Sequence, residues 1–164
     1  AREAEMNVVE VNVSALLRRT SEFVKGKASE LGIDLVLDIP DDIPAIIGDR
    51  DQLEQVFLNL ALNGIEAMKG GGRLHVSAAR KANEVKISFT DTGPGIPAQD
   101  IPHVFNPFYT TKPSGTGLGL ALSWSIIERH GGIIRVDNVT DDEGARFEVI
   151  LPLQWRFERE QTTR

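Results

Sequence analysis

The chain has 164 residues and not one cysteine, which excludes disulfides, thiolate nucleophiles and cysteine-ligated zinc together. Aromatic residues are sparse at 6%, yet hydrophobic residues reach 41%, enough for one globular domain with its own core. Long apolar runs are missing, and none approaches the roughly 20 residues that span a bilayer. No basic stretch followed by an apolar one stands at the beginning, so a secretory signal is not expected and a cytoplasmic setting is. Basic residues are outnumbered, 18 Lys and Arg against 24 Asp and Glu, for a net charge of −6. Nucleic acid rewards basic surfaces, so that partner is disfavoured. A small anionic ligand is not, because one pocket can be locally positive within an acidic protein.

Capping and turn signals divide the chain. Asn12 or Ser14 can cap a first helix with the apolar stripe Leu16, Leu17, Phe23, Val24 and Leu31, stopped by Gly32. Ile33, Leu35, Leu37 and Ile39 alternate as in a half-buried strand, and Pro40 and Pro44 mark a loop. Asp49 or Asp51 opens a second helix that runs to about Met68 and stops at Gly70-Gly71-Gly72. Leu74, Val76 and Ala78 face Val85, Ile87 and Phe89 in a hairpin that turns near Ala82-Asn83. Residues 91 to 117 have no sustained period and read as a long functional loop. A third helix starts near Gly117 and ends at Gly131-Gly132. A last hairpin pairs residues 133–136 with 145–151 across Asp141-Asp142-Glu143-Gly144. Residues 154–164 form a polar tail. This order predicts an α+β fold, a two-layer α/β sandwich with a mixed, mostly antiparallel sheet of about five strands and three helices on one face.

The second helix carries unusual chemistry. At roughly 100° per residue, Gln52, Gln55, Asn59, Asn63 and Glu66 fall within an arc of about 80° on an otherwise apolar wheel. One account is a polar strip that faces water. The other gives Asn59 and Asn63, one turn apart, a shared ligand, and amide oxygens suit a hard cation such as Mg²⁺.

Two glycine segments follow. Asp91-Thr92-Gly93-Pro94-Gly95-Ile96-Pro97 leaves a strand end, where glycines let backbone approach a ligand and prolines stiffen the bend. A carboxylate there only accepts hydrogen bonds, so it pairs with the exocyclic amine of adenine and repels the carbonyl of guanine. Gly115-Thr116-Gly117-Leu118-Gly119 opens the third helix, whose first N–H groups make an anion site. It lacks the Gly-Lys-Ser/Thr of a P-loop, and its glycine spacing is not that of a dinucleotide fingerprint. Between the two lies Phe105-Asn106-Pro107-Phe108-Tyr109-Thr110-Thr111-Lys112, where Lys112 can reach a terminal phosphate as a point charge.

In combination, these segments resemble the catalytic domain of sensor histidine kinases, within the superfamily that includes gyrase B, Hsp90 and MutL. The N box matches Asn59 to Asn63, the first glycine box Asp91 to Gly95, the phenylalanine box Phe105 to Phe108, and the second glycine box Gly115 to Gly119. The Phe-Tyr-Thr-Thr-Lys segment and short lid look most like the nitrogen-regulation-type subgroup. The resemblance implies a Bergerat-type ATP-binding fold over residues 7–153, with 1–6 as the stub of a dimerisation helix. It implies ATP and Mg²⁺ as ligands, with Asn63 on the metal and Asn59 in support. Asp91 would hold the adenine amine, with Gly93, Gly95 and Ile96 shaping the base pocket. Thr116, Gly117, Leu118 and Gly119 would meet the phosphates, and Lys112 the γ-phosphate. Asn59, Asn63 and Lys112 would be the catalytic set. The implied partners are the chain's own dimerisation domain and a response-regulator receiver, without nucleic acid or membrane contact.

One residue separates kinase from hydrolase. Superfamily ATPases place a water-activating glutamate one turn before the metal-binding asparagine; here that position is Asn59, which cannot act as a base. None of His75, His103 and His130 is followed by an acid or sits as the family's phosphate acceptor does, so the acceptor lies elsewhere. The rival expectations are a gyrase- or Hsp90-like ATPase, an anti-sigma-type serine kinase and a non-catalytic nucleotide module. Glu66 departs from the family pattern and receives no role.

Overall fold

The computed structural model describes residues 5–110, 117–140 and 143–153. Strand β1 (Val8–Val11) leads into helix α1 (Val13–Glu30), followed by β2 (Ile33–Asp38), β3 (Ile46–Asp49) and helix α2 (Arg50–Glu66). The hairpin β4 (Gly72–Lys81) and β5 (Glu84–Asp91) precedes the lid region, which holds a 3₁₀ turn at Ile101–His103. Helix α3 (Gly119–Arg129) then leads to the hairpin β6 (Ile133–Thr140) and β7 (Glu143–Pro152).

Local chemistry sets these limits. Asn12 caps α1 by accepting from the Ala15 N–H at 3.0 Å, and Gly32, at φ 68°, turns the chain out of the helix. Asp49 caps α2 through the Gln52 N–H at 3.0 Å. The helix ends at Glu66, two residues before Met68, and α3 starts at Gly119 rather than Gly117. Both final strands run further than their apolar alternation indicates, because main-chain pairing continues as far as Thr140 with Glu143.

Five strands form the main sheet in the order β2-β4-β5-β7-β6, with β2 parallel to β4 and every other pair antiparallel. The expected α+β sandwich is therefore present. Val76, Ile87, Phe89, Phe147 and Val149 point into the core beneath Leu53, Phe57, Leu60 and Ile65 of α2, all 2% exposed or less. On the other face Glu148 takes salt bridges from Lys86 and Arg135, each at 3.0 Å. A sheet with one apolar and one charged face needs a single helical layer.

Two features depart from expectation. Phe23 is 63% exposed beside the Arg19 guanidinium, so it leaves the stripe that Leu16, Leu17 and Val24 bury. Val8–Val11 and Ile46–Asp49 form a second, antiparallel two-stranded sheet within segments expected to be irregular. That small sheet ends at Asp49, whose Oδ2 accepts from the Asn7 N–H at 2.9 Å. It thus fixes where α2 begins. Among the described residues no helix is long and apolar enough to cross a membrane.

Candidate functional site

A cavity of about 480 Å³ opens along α2, a size suited to a nucleotide-sized ligand. Four segments supply most of its lining, and Phe147 of β7 adds to it. Helix α2 contributes Asn59, Asn63 and Glu66, successive members of one polar stripe. The first glycine loop contributes Gly95 and Ile96, the lid Asp100 and Tyr109, and the second glycine segment Gly117 and Gly119.

Asn59 does more than line the wall. Its Nδ2 donates to the Gly119 carbonyl at 2.7 Å, and a Cβ at Gly119 would stand 2.9 Å from that nitrogen. The asparagine therefore ties the first residue of α3 to the middle of α2, and glycine is what permits the approach. Ser123 adds a second link, 3.4 Å from Asn59 Nδ2 while its own hydroxyl donates to Gly119 O at 3.0 Å.

Asp91 closes β5 and is 4% exposed. Its Oδ1 accepts from the Gly93 N–H at 2.9 Å and the Ala145 N–H at 3.1 Å. Burial pushes the carboxyl above its ordinary range, and these two amides pull it partly back. Gly64 lets α2 lie against this carboxylate: a Cβ there would be 2.8 Å from Leu74 Cδ1 and 4.0 Å from Asp91 Oδ2. Neither Asp91 nor Gly93 lines the cavity. Gly93 stands against Ala67, which does line it.

The first glycine loop is held from outside. Gly95 takes φ 76°, a bend that suits glycine, and the Gly93 carbonyl accepts from the Gly144 N–H at 2.8 Å. Asn138 of β6 grips Ile96 at both main-chain groups: Oδ1 accepts from Ile96 N and Nδ2 donates to Ile96 O, each at 2.8 Å.

In the lid, Phe105 packs against Trp124 and Phe147, with ring centroids 5.3 Å and 6.1 Å away. Phe108 is 74% exposed at φ 67° and donates its N–H to the Gly117 carbonyl at 2.9 Å. Gly117, at φ 72°, admits no side chain there, since its Cβ would lie 2.3 Å from the Phe108 carbonyl carbon. Burial, then the hydrogen-bonded Asp100 carboxylate, holds the Tyr109 hydroxyl above its ordinary pKa.

The structure thus gathers Asn59, Asn63, Gly95, Ile96, Gly117 and Gly119 around one cavity. Asp91 and Gly93 do not line it, and connect to it through the contact of Gly93 with Ala67. Leu118 is the cap of α3 and is 43% exposed. Lys112 and Thr116 lie outside the described residues, as do Gly115, Asp141 and Asp142. Sequence reasoning did not single out Gly64, Asp100, Ser123 or Asn138. The last three serve through partners distant in the chain or within an aperiodic loop, where no pattern marks them.

Comparison with known proteins agrees with this geometry. A family described as "Histidine kinase-, DNA gyrase B-, and HSP90-like ATPase" matches residues 48–154. Sensor histidine kinase ZraS of Escherichia coli O157:H7 is 41% identical over 143 residues, 87% of this chain and 31% of that protein. Sporulation kinase E of Bacillus subtilis is 38% identical over 150 residues, 91% of this chain and 20% of that protein. The chain therefore spans less than a third of the length of these relatives. Among solved structures, the catalytic domain of histidine kinase ThkA superposes with a TM-score of 0.82 at 31% identity, covering 90% of this chain and 99% of that one. Full-length ShkA in complex with AMPPNP gives 0.84 at 29% identity, over 94% of this chain and 33% of that one. ThkA in complex with response regulator protein TrrA gives 0.77 at 28%, over 90% and 42%. With the family match covering most of the chain, and with the asparagine helix and both glycine segments lining one cavity, the chain belongs to the histidine kinase-, DNA gyrase B- and HSP90-like ATPase family.

Proposed function

We propose that residues 7–153 are the ATP-binding catalytic domain of a two-component histidine kinase. It would transfer the γ-phosphate of ATP to a histidine on a separate dimerisation domain, of which residues 1–6 are the stub. The observation that carries this is the convergence of the asparagine stripe, both glycine segments and the lid on one cavity, with the Asp91 carboxylate bonded to Gly93 of the first glycine loop.

Asp91 selects the base. Its Oδ1 is engaged by two backbone amides, which orients the carboxylate and leaves Oδ2 to accept from the adenine amine. Gly95 and Ile96 supply the wall beside the base. The phosphates lie toward Gly117, Leu118 and Gly119, where the first N–H groups of α3 have no carbonyl one turn earlier in the helix. By the family resemblance, Lys112 and Thr116, outside the described residues, would act on the phosphates.

The residues present fit Mg²⁺. Asn63 brings an uncharged oxygen ligand to the cavity wall, and a magnesium ion that retains waters and phosphate oxygens needs few protein ligands. Bound there, Mg²⁺ supplies charge neutralisation on the phosphates. Asn59 acts beside it by fixing Gly119, hence the phosphate-facing end of α3. Its amide cannot deprotonate water, so the site holds ATP until an external imidazole attacks in line. The AMPPNP complex of ShkA and the regulator complex of ThkA support an adenine nucleotide and a response-regulator receiver as ligand and partner. Such a reaction belongs on the cytoplasmic side.

The trial is to mix this chain with its dimerisation domain and γ-labelled ATP. Phosphate bound in acid-labile, base-stable form is expected. Acid-stable phosphoserine would favour the serine-kinase alternative, and rapid hydrolysis by this chain alone the ATPase.

A further inference from the structure

The segment Pro94-Gly95-Ile96-Pro97 is short of hydrogen-bond donors, because the two prolines have no N–H. Only Gly95 and Ile96 can donate from the main chain, and Gly95 spends its freedom on a left-handed bend at φ 76°. A loop of this kind has no ladder to hold it. It is held instead by a hairpin that enters the chain some forty residues later. Asn138 Oδ1 accepts from the Ile96 N–H and Asn138 Nδ2 donates to the Ile96 carbonyl, both at 2.8 Å, so one side chain reproduces the two-bond pairing of a neighbouring strand. The same hairpin meets the loop twice more, through Gly144 N–H to Gly93 O at 2.8 Å and Ala145 N–H to Asp91 Oδ1 at 3.1 Å.

We infer that Asn138 is a positioning residue for the base pocket, fixing Ile96 and Gly95 against the cavity before nucleotide arrives. This rests on the nucleotide site proposed above. Asn138 has no place in the cavity lining, so it acts through Ile96, which does line it. The other two clamps use main-chain donors that survive most substitutions. The Ile96 clamp depends on a side chain that both donates and accepts in one plane, and asparagine supplies that geometry. Without it the loop samples conformations in which the wall is absent, and binding must select the ordered fraction.

Three variants separate positioning from mere support of the fold. Asn138→Ala removes both bonds. Asn138→Asp keeps the acceptor for Ile96 N–H but sets a carboxylate against the Ile96 carbonyl. Asn138→Ser keeps a short group that can donate or accept but not bridge both. Calorimetric titration with Mg-ATP and with adenosine, well below each variant's melting temperature, is the measurement. Affinity for both ligands is expected to fall on the order of tenfold in the Ala and Asp variants, as loss of a two-bond clamp implies, with Ser intermediate. Equal losses for ATP and adenosine would locate the effect at the base wall. Wild-type affinity in folded Asn138→Ala and Asn138→Asp would overturn the inference, as would a loss confined to ATP. Failure of the unaltered chain to bind ATP would instead sink the nucleotide site itself.

Discussion

The Asn59 amide nitrogen and the Gly119 carbonyl oxygen stand 2.7 Å apart, joining the middle of α2 to the first residue of α3. A carbonyl only accepts, so the asparagine must turn its nitrogen to Gly119. In the function proposed above, Asn59 and Asn63 would have different roles although they share one stripe: the first would shape the phosphate end, and the second would ligate the metal from the cavity wall.

The two roles predict different losses. Asn59→Ala should lower stability by about 1 kcal/mol, the usual worth of such a bond, and weaken nucleotide binding with or without Mg²⁺. Asn63→Ala should abolish the gain in affinity that Mg²⁺ gives. Thermal melts and ATP titrations with and without Mg²⁺ read both. An Asn63→Ala protein that keeps its Mg²⁺ dependence contradicts the assignment.

In its proposed role, Asp91 would set function against stability. Because burial raises its folded pKa above the ordinary 3.8, the native state holds that proton more tightly than the unfolded chain does. Stability contributed by this group therefore rises as pH falls through the raised pKa toward 3.8, and its ionised form detracts at neutral pH. An asparagine in its place would keep an oxygen for the Gly93 and Ala145 amides while removing the charge. Asp91→Asn should thus melt no lower than the unaltered protein, yet bind ATP at least about a hundredfold more weakly, as when a buried recognition pair is mismatched. Melting and titration on the same sample test it; near-normal affinity refutes the adenine role.

His130 gives the opposite pH response. It is 2% exposed, its Nε2 accepts from the Asp49 N–H at 3.0 Å, and its Nδ1–H donates to Ile126 O at 2.7 Å. The bond from the Asp49 N–H requires an unprotonated Nε2, hence the neutral ring. Burial is the main cause that lowers its pKa below 6.5; the Ile126 carbonyl and Asp49 oppose this, and Arg129 adds to it. The unfolded chain gains a proton first on acidification, so stability is full above about 6.5 and declines as pH falls toward the lowered native value. Urea denaturation between pH 7.5 and pH 5.5, compared with His130→Gln, isolates this contribution. The variant should lose about 1–3 kcal/mol at pH 7.5, the worth of a buried polar link, and show a flatter decline. An equal slope in both proteins contradicts it.

The sequence disclosed whatever depends on local pattern. Asn12 and Asp49 are capping residues by type, and the alternation of Val85, Ile87 and Phe89 shows which face of β5 is buried. The asparagine stripe could be placed on a helix wall because a helix repeats every 3.6 residues. Contacts across the fold were not legible. Asn138 reads as a polar residue near a turn, and its partner Ile96 lies 42 positions away. Gly64 reads as a helix weakness until Leu74 and Asp91 are seen beside it. The strand Val8–Val11 is four residues long, too short for alternation to declare it, and exists because Ile46–Asp49 pairs with it. His130 reads in the sequence only as a residue at a helix end; burial against Gly48 and Asp49 makes it a neutral link between elements.

The central claim is that one cavity takes adenosine triphosphate with magnesium, and calorimetric titration of this chain with ATP and GTP, each with and without Mg²⁺, tests it most directly. The expected result is a single ATP site tightened by Mg²⁺, with GTP bound at least about tenfold more weakly, on the order of one mismatched buried hydrogen bond. Equal binding of GTP and ATP, or no saturable heat with either, would contradict it.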